Sequence, residues 1–323
     1  MQHNKELYRK LCEEKNIPLF LQAWWFDAIC APVGKEWNVL LHEELKSDDN
    51  LKGEIVGAMP YCITKKFGFK FIVQPRGAQY NGVWIDYPEE MKLHKRYSFE
   101  KQVIDNLIDQ LEKLNISVFS QNFHHSFINW LPFYWRGFQQ TTRYTYLIKN
   151  LSNLDKVFND FSSAKRRHIK KENDELMVDF SLSGTEFYNF HKQCLQQKNT
   201  KIEYSLELLL SVYNESVKRD QGKIIALKDK DGHIHSALFV VWDKNSAYAY
   251  AYSINSQFKN NGTSTKMFWE AIKFVSDKTQ MFDFEGSMMD GVAQSYQQFG
   301  TEQVPYFCIS KTYSKLFSLL KLL

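Results

Sequence analysis

The sequence predicts an α+β protein made of two similar halves, each a mixed, mostly antiparallel sheet flanked by helices. Three observations carry this. Helical periodicity marks Val103, Ile104, Leu107, Ile108 and Leu111, and again Met267, Phe268, Ala271, Ile272 and Val275. Each stretch is followed by a short strand, an aromatic turn and a further strand. Turn-punctuated apolar segments that read as antiparallel meanders precede both.

In chain order, the N-terminal MQHNKELYRKLCEEKN is polar and lacks an apolar signal core. The segment WNVLLHEELKSDDNLKGEIVGAMPYCITKKFGFKFIVQP offers strands around turns at Ser47 to Asn50 and Lys65 to Gly68. A helix over residues 100–114 leads to the strand ISVFSQNF and then to YWRGFQQTTRYTYLI. The second half opens with a helix capped by Ser152 or Asn153. Its meander, KIIALKDKDGHIHSALFVVWDKNSAYAYAYSI, turns at Asp231-Gly232 and at Asp243 to Asn245. A helix over residues 263–275, the strand MFDFEG and YQQFGTEQVPYFCIS follow. Tyr134 and Phe138 answer to Tyr296 and Phe299, and Tyr144 to Tyr306. The division is therefore placed at residues 1–148 and 149–323, with the active cleft expected in the second half.

A chain of 323 residues exceeds what one core usually serves. Hydrophobic content of 44% and charged content of 24% describe a globular protein. A net charge of +4 is mild, and without clustering it does not point to DNA. Cys12, Cys30, Cys62, Cys194 and Cys308 are odd in number and far apart, which favours reduced thiols in a cytoplasmic protein. No apolar run approaches the roughly 18 residues of a membrane span. The C-terminal YSKLFSLLKLL is amphipathic and reads as a packed final helix or a peripheral membrane contact. No metal site is expected: His124 and His125 are adjacent and point apart, and His233 and His235 lack a third ligand.

Four stretches can carry chemistry. In MFDFEGSMMDG, Phe282 and Phe284 face one way and Asp283 and Glu285 the other. The acids are either a catalytic rim or a pair neutralised by a lysine on a neighbouring strand. In NNGTSTKMFWEAI, Asn261, Gly262, Thr263, Ser264 and Thr265 surround a helix N-terminus, which suits an anion or is simply a cap. In SAYAYAYSI, Ala247, Ala249 and Ala251 line one face and Tyr248, Tyr250 and Tyr252 the other. The tyrosines are a substrate platform with phenol donors, or a packing face. In SSAKRRHIKKE, Arg166, Arg167 and Lys170 share one helical side, for holding phosphates or for solvation.

The basic helix AKRRHIKKE, the meander ending in YAYAYSI, the polar helix start NNGTST, and FDFEGS followed by YQQFGTE together resemble the GNAT-fold acyltransferases. Within them, the chain resembles the Fem-type (FemABX) transferases and their acetyltransferase relatives. That resemblance spans the whole chain. It implies two tandem GNAT-like lobes and an N-acyltransferase moving an acetyl or acyl group from acyl-CoA to an amine of a small molecule or a cell-envelope precursor. Glu285 and Asp283 would supply the base, Tyr250 or Tyr252 would protonate the leaving group, and residues 261–265 would meet the cofactor. The family's phosphate loop carries two glycine or small positions, whereas FKNNGTST keeps one, Gly262. The alternative is a Fem-type aminoacyltransferase that uses aminoacyl-tRNA to extend a peptidoglycan precursor, with Arg166, Arg167 and Lys170 contacting tRNA. A third reading is a catalytically silent binding module.

Overall fold

The computed structural model describes residues 2–44, 53–170, 176–259 and 262–320. The chain forms two compact units, Met1–Arg143 with Pro305–Leu323, and Tyr144–Val304.

In the first unit, α1 (Gln2–Glu14) buries Tyr8 and Leu11, and α2 (Ala23–Cys30) buries most of its apolar length. Strands β1 (Trp37–Glu44) and β2 (Glu54–Cys62) pair antiparallel, with β5 (Trp84–Ile85) on the far side of β2. The expected turn at residues 47–50 lies outside the described residues. β3 (Thr64–Lys66) and β4 (Phe69–Val73) form a hairpin whose turn holds Phe67 and Gly68 at positive φ, as the sequence predicts. Helix α3 (Leu93–Glu112) lays Val103, Ile104, Leu107, Ile108 and Leu111 onto this core. Gly57 in β2 permits that approach, since a Cβ there would lie 2.3 Å from the Val103 side chain. β6 (Val118–Asn122) runs parallel to β4, and the short α4 (Leu131–Trp135) leads into β7 (Gln139–Ile148).

The second unit begins with α5 (Leu154–Asp160), capped by the Asn153 side chain, and α6 (Ser163–Lys170). Next come β8 (Met177–Asp179), α7 (Gly184–Gln196) and α8 (Leu206–Lys218). The meander β9 (Gly222–Lys228), β10 (Ile234–Trp242) and β11 (Ser246–Ile254) follows, turning where the sequence predicts. Then come α9 (Thr263–Val275), β12 (Met281–Asp283), α10 (Asp290–Gln297), β13 (Glu302–Thr312) and α11 (Lys315–Leu320). β12 lies parallel to β11 and antiparallel to the end of β7. Phe187 and Tyr213, from α7 and α8, pack on Phe239. Met267, Phe268, Ala271, Ile272 and Val275 of α9 belong to the main core of the unit.

The predicted repeat is present as α3-β6-α4-β7 and α9-β12-α10-β13, with each aromatic turn folded into a short helix. In both, the central strand pairs parallel with an earlier strand, β6 with β4 and β12 with β11. The closing strands complete different units: Leu147 and Ile148 of β7 pair with β12, whereas Cys308–Thr312 of β13 pair with β6. Residues 305–323, placed by the sequence in the second half, therefore group with the first unit. Periodicity marks a strand but not its partner. There Phe317 of α11 packs on Phe69 and Phe71. Two of the scattered thiols also meet, with Cys30 and Cys62 2.6 Å apart at sulfur.

Candidate active site

Strand β12 separates its side chains as alternation predicts. Phe282 and Phe284 are buried in the core of the second unit, with Phe284 5.0 Å from Phe268 and 5.1 Å from Phe299 between ring centres. Asp283 is buried too, and accepts hydrogen bonds from the Thr145 hydroxyl and from the Glu285 N–H at 2.7 Å. Glu285 and Gly286 then adopt left-handed φ values of 60° and 57°. At Gly286 a Cβ would stand 2.3 Å from the Tyr144 carbonyl oxygen, so no side chain fits. A non-glycine residue in this region stores about 1 kcal/mol or more of strain, and such strain collects at functional sites.

The kink places the Glu285 carboxyl in protein surroundings. As a residue Glu285 keeps some exposed surface, yet its Oε1 is sealed from solvent and has no hydrogen-bond partner among the described residues. Burial first, and then the negative Asp283, push its pKa well above the usual carboxylate value.

Tyrosines gather around it. The Tyr250 hydroxyl is held protonated by burial, and then by Tyr204 and Glu285. Tyr204 is held protonated by burial, with Tyr188 and Glu285 adding to it, and its buried hydroxyl has no hydrogen-bond partner among the described residues. His191 stacks between Phe187 and Tyr204, with ring centres 5.8 and 5.9 Å away, and shares a hydrogen bond with Ser253 at 2.8 Å. Burial lowers the His191 pKa to about 4, so the ring is neutral at ordinary pH. Tyr204 precedes α8 in a stretch with no alternation and no motif, and nothing in the sequence singles it out.

The strict alternation of SAYAYAYSI is broken. Pairing with β10 slips between Phe239 and Val241, which puts a bulge in β11. Tyr250 packs on Phe239, whereas Tyr252 packs on Phe268 of α9, with Ala247 and Ala249 in the same core. The three tyrosines therefore do not form one platform. Tyr252 instead shares a 3.0 Å hydroxyl–hydroxyl hydrogen bond with Tyr296 of α10.

At the start of α9, Gly262 is left-handed, and a Cβ on it would press on His168. Thr263 is buried with its hydroxyl 2.8 Å from that of Ser236, and Thr265 is buried as well. This leaves Ser264 as the partly exposed hydroxyl, while Asn261 lies outside the described residues. On α6, Arg166 donates to the carbonyls of Asn159 and Phe161 at 2.6 Å and so closes the end of α5. Arg167 and Lys170 are exposed. Lys165, in the same basic run SSAKRRHIKKE, is buried, donates to Ser295 Oγ at 3.2 Å and lies 4.2 Å from the Phe299 ring centre. Burial lowers its pKa to about 8. On the β9–β10 turn, His233 and His235 both reach Asp229, at 3.2 and 3.1 Å.

The two-lobed, GNAT-like fold is shared with solved structures. A crystal structure of FemX matches with a TM-score of 0.71 over 98% of both chains, at 11% identity. A tandem GNAT protein from the clavulanic acid biosynthesis pathway matches at 0.55, covering 96% of this chain and 94% of its own, at 8% identity. L-PGS from Bacillus licheniformis matches at 0.53, covering 83% and 84%, at 10% identity. At such identities the likeness is one of fold. No protein-family model and no curated protein matches the sequence.

Proposed function

We propose that this protein is an acyltransferase that forms an amide, with Glu285 accepting the proton of the attacking amine. The observation that carries the proposal is the Glu285 carboxyl, with Oε1 buried and unpartnered among the described residues, set on a left-handed kink beside protonated tyrosines. A raised carboxylate pKa brings a base toward neutral working pH, where it takes protons most effectively. The amine nitrogen attacks the acyl carbonyl carbon, its proton passes to Glu285, and the bond from carbon to the leaving sulfur or oxygen breaks. Tyr250, kept protonated, returns a proton to the leaving group. Asp283, fixed by Thr145 and by the Glu285 N–H, positions the turn and raises the affinity of Glu285 for a proton.

Acyl-CoA is the first choice of donor, with its phosphates at the start of α9 beside Ser264. A second reading has a specific support: Thr263 and Thr265 are buried, while Arg167 and Lys170 are exposed, as a nucleic-acid backbone would require. Aminoacyl-tRNA would then be the donor, and a lipid-linked or peptidoglycan-precursor amine the acceptor. Thermal unfolding decides between them. Acetyl-CoA at a hundredfold excess over Kd should stabilise the protein by about 2.7 kcal/mol and raise Tm. No rise with acetyl-CoA, combined with tRNA binding that is lost in Arg167→Ala/Lys170→Ala, transfers the proposal to the second donor. Neither response removes it.

A further inference from the structure

Two thiols meet in the first unit, and the candidate site makes no use of them. Cys30 closes α2 and Cys62 closes β2, and both are buried, at 2% and 3% exposure. Their sulfurs lie 2.6 Å apart. The other cysteines meet oxygen instead of sulfur: Cys308 lies 3.8 Å from the Ser120 hydroxyl, and Cys12 and Cys194 lie beside Tyr8 and Ser253.

Regular structure holds the pair from both sides. The chain leaves α2 through Gly34, left-handed at a φ of 62°, and the Lys35 N–H donates back to the Cys30 carbonyl at 3.0 Å. Trp37 then opens β1 and pairs directly with Cys62. The two cysteines are 32 positions apart in sequence, yet the end of α2 and the β1–β2 ladder fix them as neighbours. Backbones already fixed have little entropy left to lose when a bond forms between them. A buried S–H is a weak donor, so the reduced pair gains little from its contact. A disulfide fills the same space, less two hydrogens, and removes both donors from the core.

We propose that Cys30 and Cys62 are a disulfide-forming pair, oxidised by exchange with a low-molecular-weight disulfide of the glutathione type. One protein thiolate attacks the small disulfide, forms a mixed disulfide and releases a small thiol. The second protein thiolate attacks the protein sulfur of that intermediate and releases the other small thiol. The protein gives up two electrons and two protons, and the small disulfide takes them up to become two thiols. Contact with Cys30, and then burial, push the Cys62 pKa well up, so its thiolate is scarce and exchange is slow. The product closes residues 31–61 into a covalent loop, which restricts the unfolded chain and stabilises the first unit.

The test brings the full chain to equilibrium with oxidised and reduced glutathione in equal amounts, and then quenches with acid. Peptide mapping without reductant should join the peptides of Cys30 and Cys62, and two of the five thiols should no longer titrate in denaturant. Tm should rise by about 5 °C, and dithiothreitol should reverse both changes. Cys30→Ala and Cys62→Ala should form no internal disulfide and show no such rise. The map is read on wild type, so it decides even where a variant folds poorly. Four results overturn the proposal: all five thiols still titrating, glutathione held on either sulfur with no internal bond, a bond that joins other cysteines or two chains, or an equal rise in Tm for Cys62→Ala.

Discussion

Each unit buries a glutamate, and the two are treated in opposite ways. Glu100 in the first unit is 4% exposed and surrounded by donors, with both carboxyl oxygens engaged. Glu285 in the second unit has an unpartnered oxygen, a second carboxylate beside it and a strained backbone beneath it. A carboxylate with its lone pairs satisfied ties elements together, here α3 to the loops at Tyr87 and Asn129. A buried carboxylate left unsatisfied costs stability and is kept where its proton affinity is used.

The contrast is broken or sharpened most strongly by a pair of substitutions. Glu285→Gln should lower the rate of amide formation about 10²- to 10⁴-fold, the usual worth of a positioned base. It should leave Tm unchanged or higher. Glu285 has a folded pKa above its ordinary 4.5, so the native state binds the extra proton, and its contribution to stability falls as pH rises above that value. Glutamine removes that loss. Glu100→Ala should do the reverse, leaving turnover intact and costing about 2 kcal/mol in urea unfolding, as Asn129 and the half-exposed Arg96 lose their acceptor. If Glu285→Gln unfolds the protein as readily as Glu100→Ala, the distinction between the two carboxylates fails.

Gly286→Ala tests the backbone beneath Glu285. Its Cβ would meet a main-chain carbonyl oxygen at 2.3 Å, at a φ that disfavours side chains. A loss of about 3 kcal/mol is expected, read by the unfolding midpoint, together with a fall in activity as Glu285 is displaced. A neutral substitution would mean that the kink can relax without cost.

Much of the fold was legible because it is written in short-range periodicity. The α3 and α9 stripes, the hairpin turns at Lys65–Gly68 and Asp231-Gly232, and the core placement of Phe282 and Phe284 follow from it. What escaped is what depends on partners distant in sequence. The return of β13 to β6 joins residues 308–312 to residues 118–122, and no local pattern encodes that choice. The candidate site was half legible: Glu285, Asp283 and Tyr250 stood out by alternation, but the bulge that moves Tyr252 onto the α9 face is a property of pairing. Tyr204 joins them through tertiary packing, where it stacks on His191 and lies near Tyr250 and Glu285. Lys165 was hidden because a run of cations looks the same in sequence whether one member faces water or the core.

Lys165 gives the smallest effect, and it asks whether unneutralised burial in the second unit extends beyond Glu285. Its side chain rests on Ser295 and the Phe299 ring, and no carboxylate is among the causes of its shift. The folded pKa of about 8 lies below the ordinary 10.5, so the unfolded chain binds the proton more tightly. The penalty is therefore full below pH 8 and disappears as pH rises through 8 toward 10.5. The shift bounds it at about 3 kcal/mol, and the contact with the Phe299 ring is already part of the balance. Lys165→Met keeps the length of the side chain and removes the charge. It should raise stability by about 1 kcal/mol at pH 7, with the gain fading by pH 10 in parallel urea titrations of both proteins. A gain that does not depend on pH would show that packing alone is responsible. A loss at pH 7 would show that the ammonium is held by favourable contacts, which would leave Glu285 as the isolated case of a charge buried against its own stability.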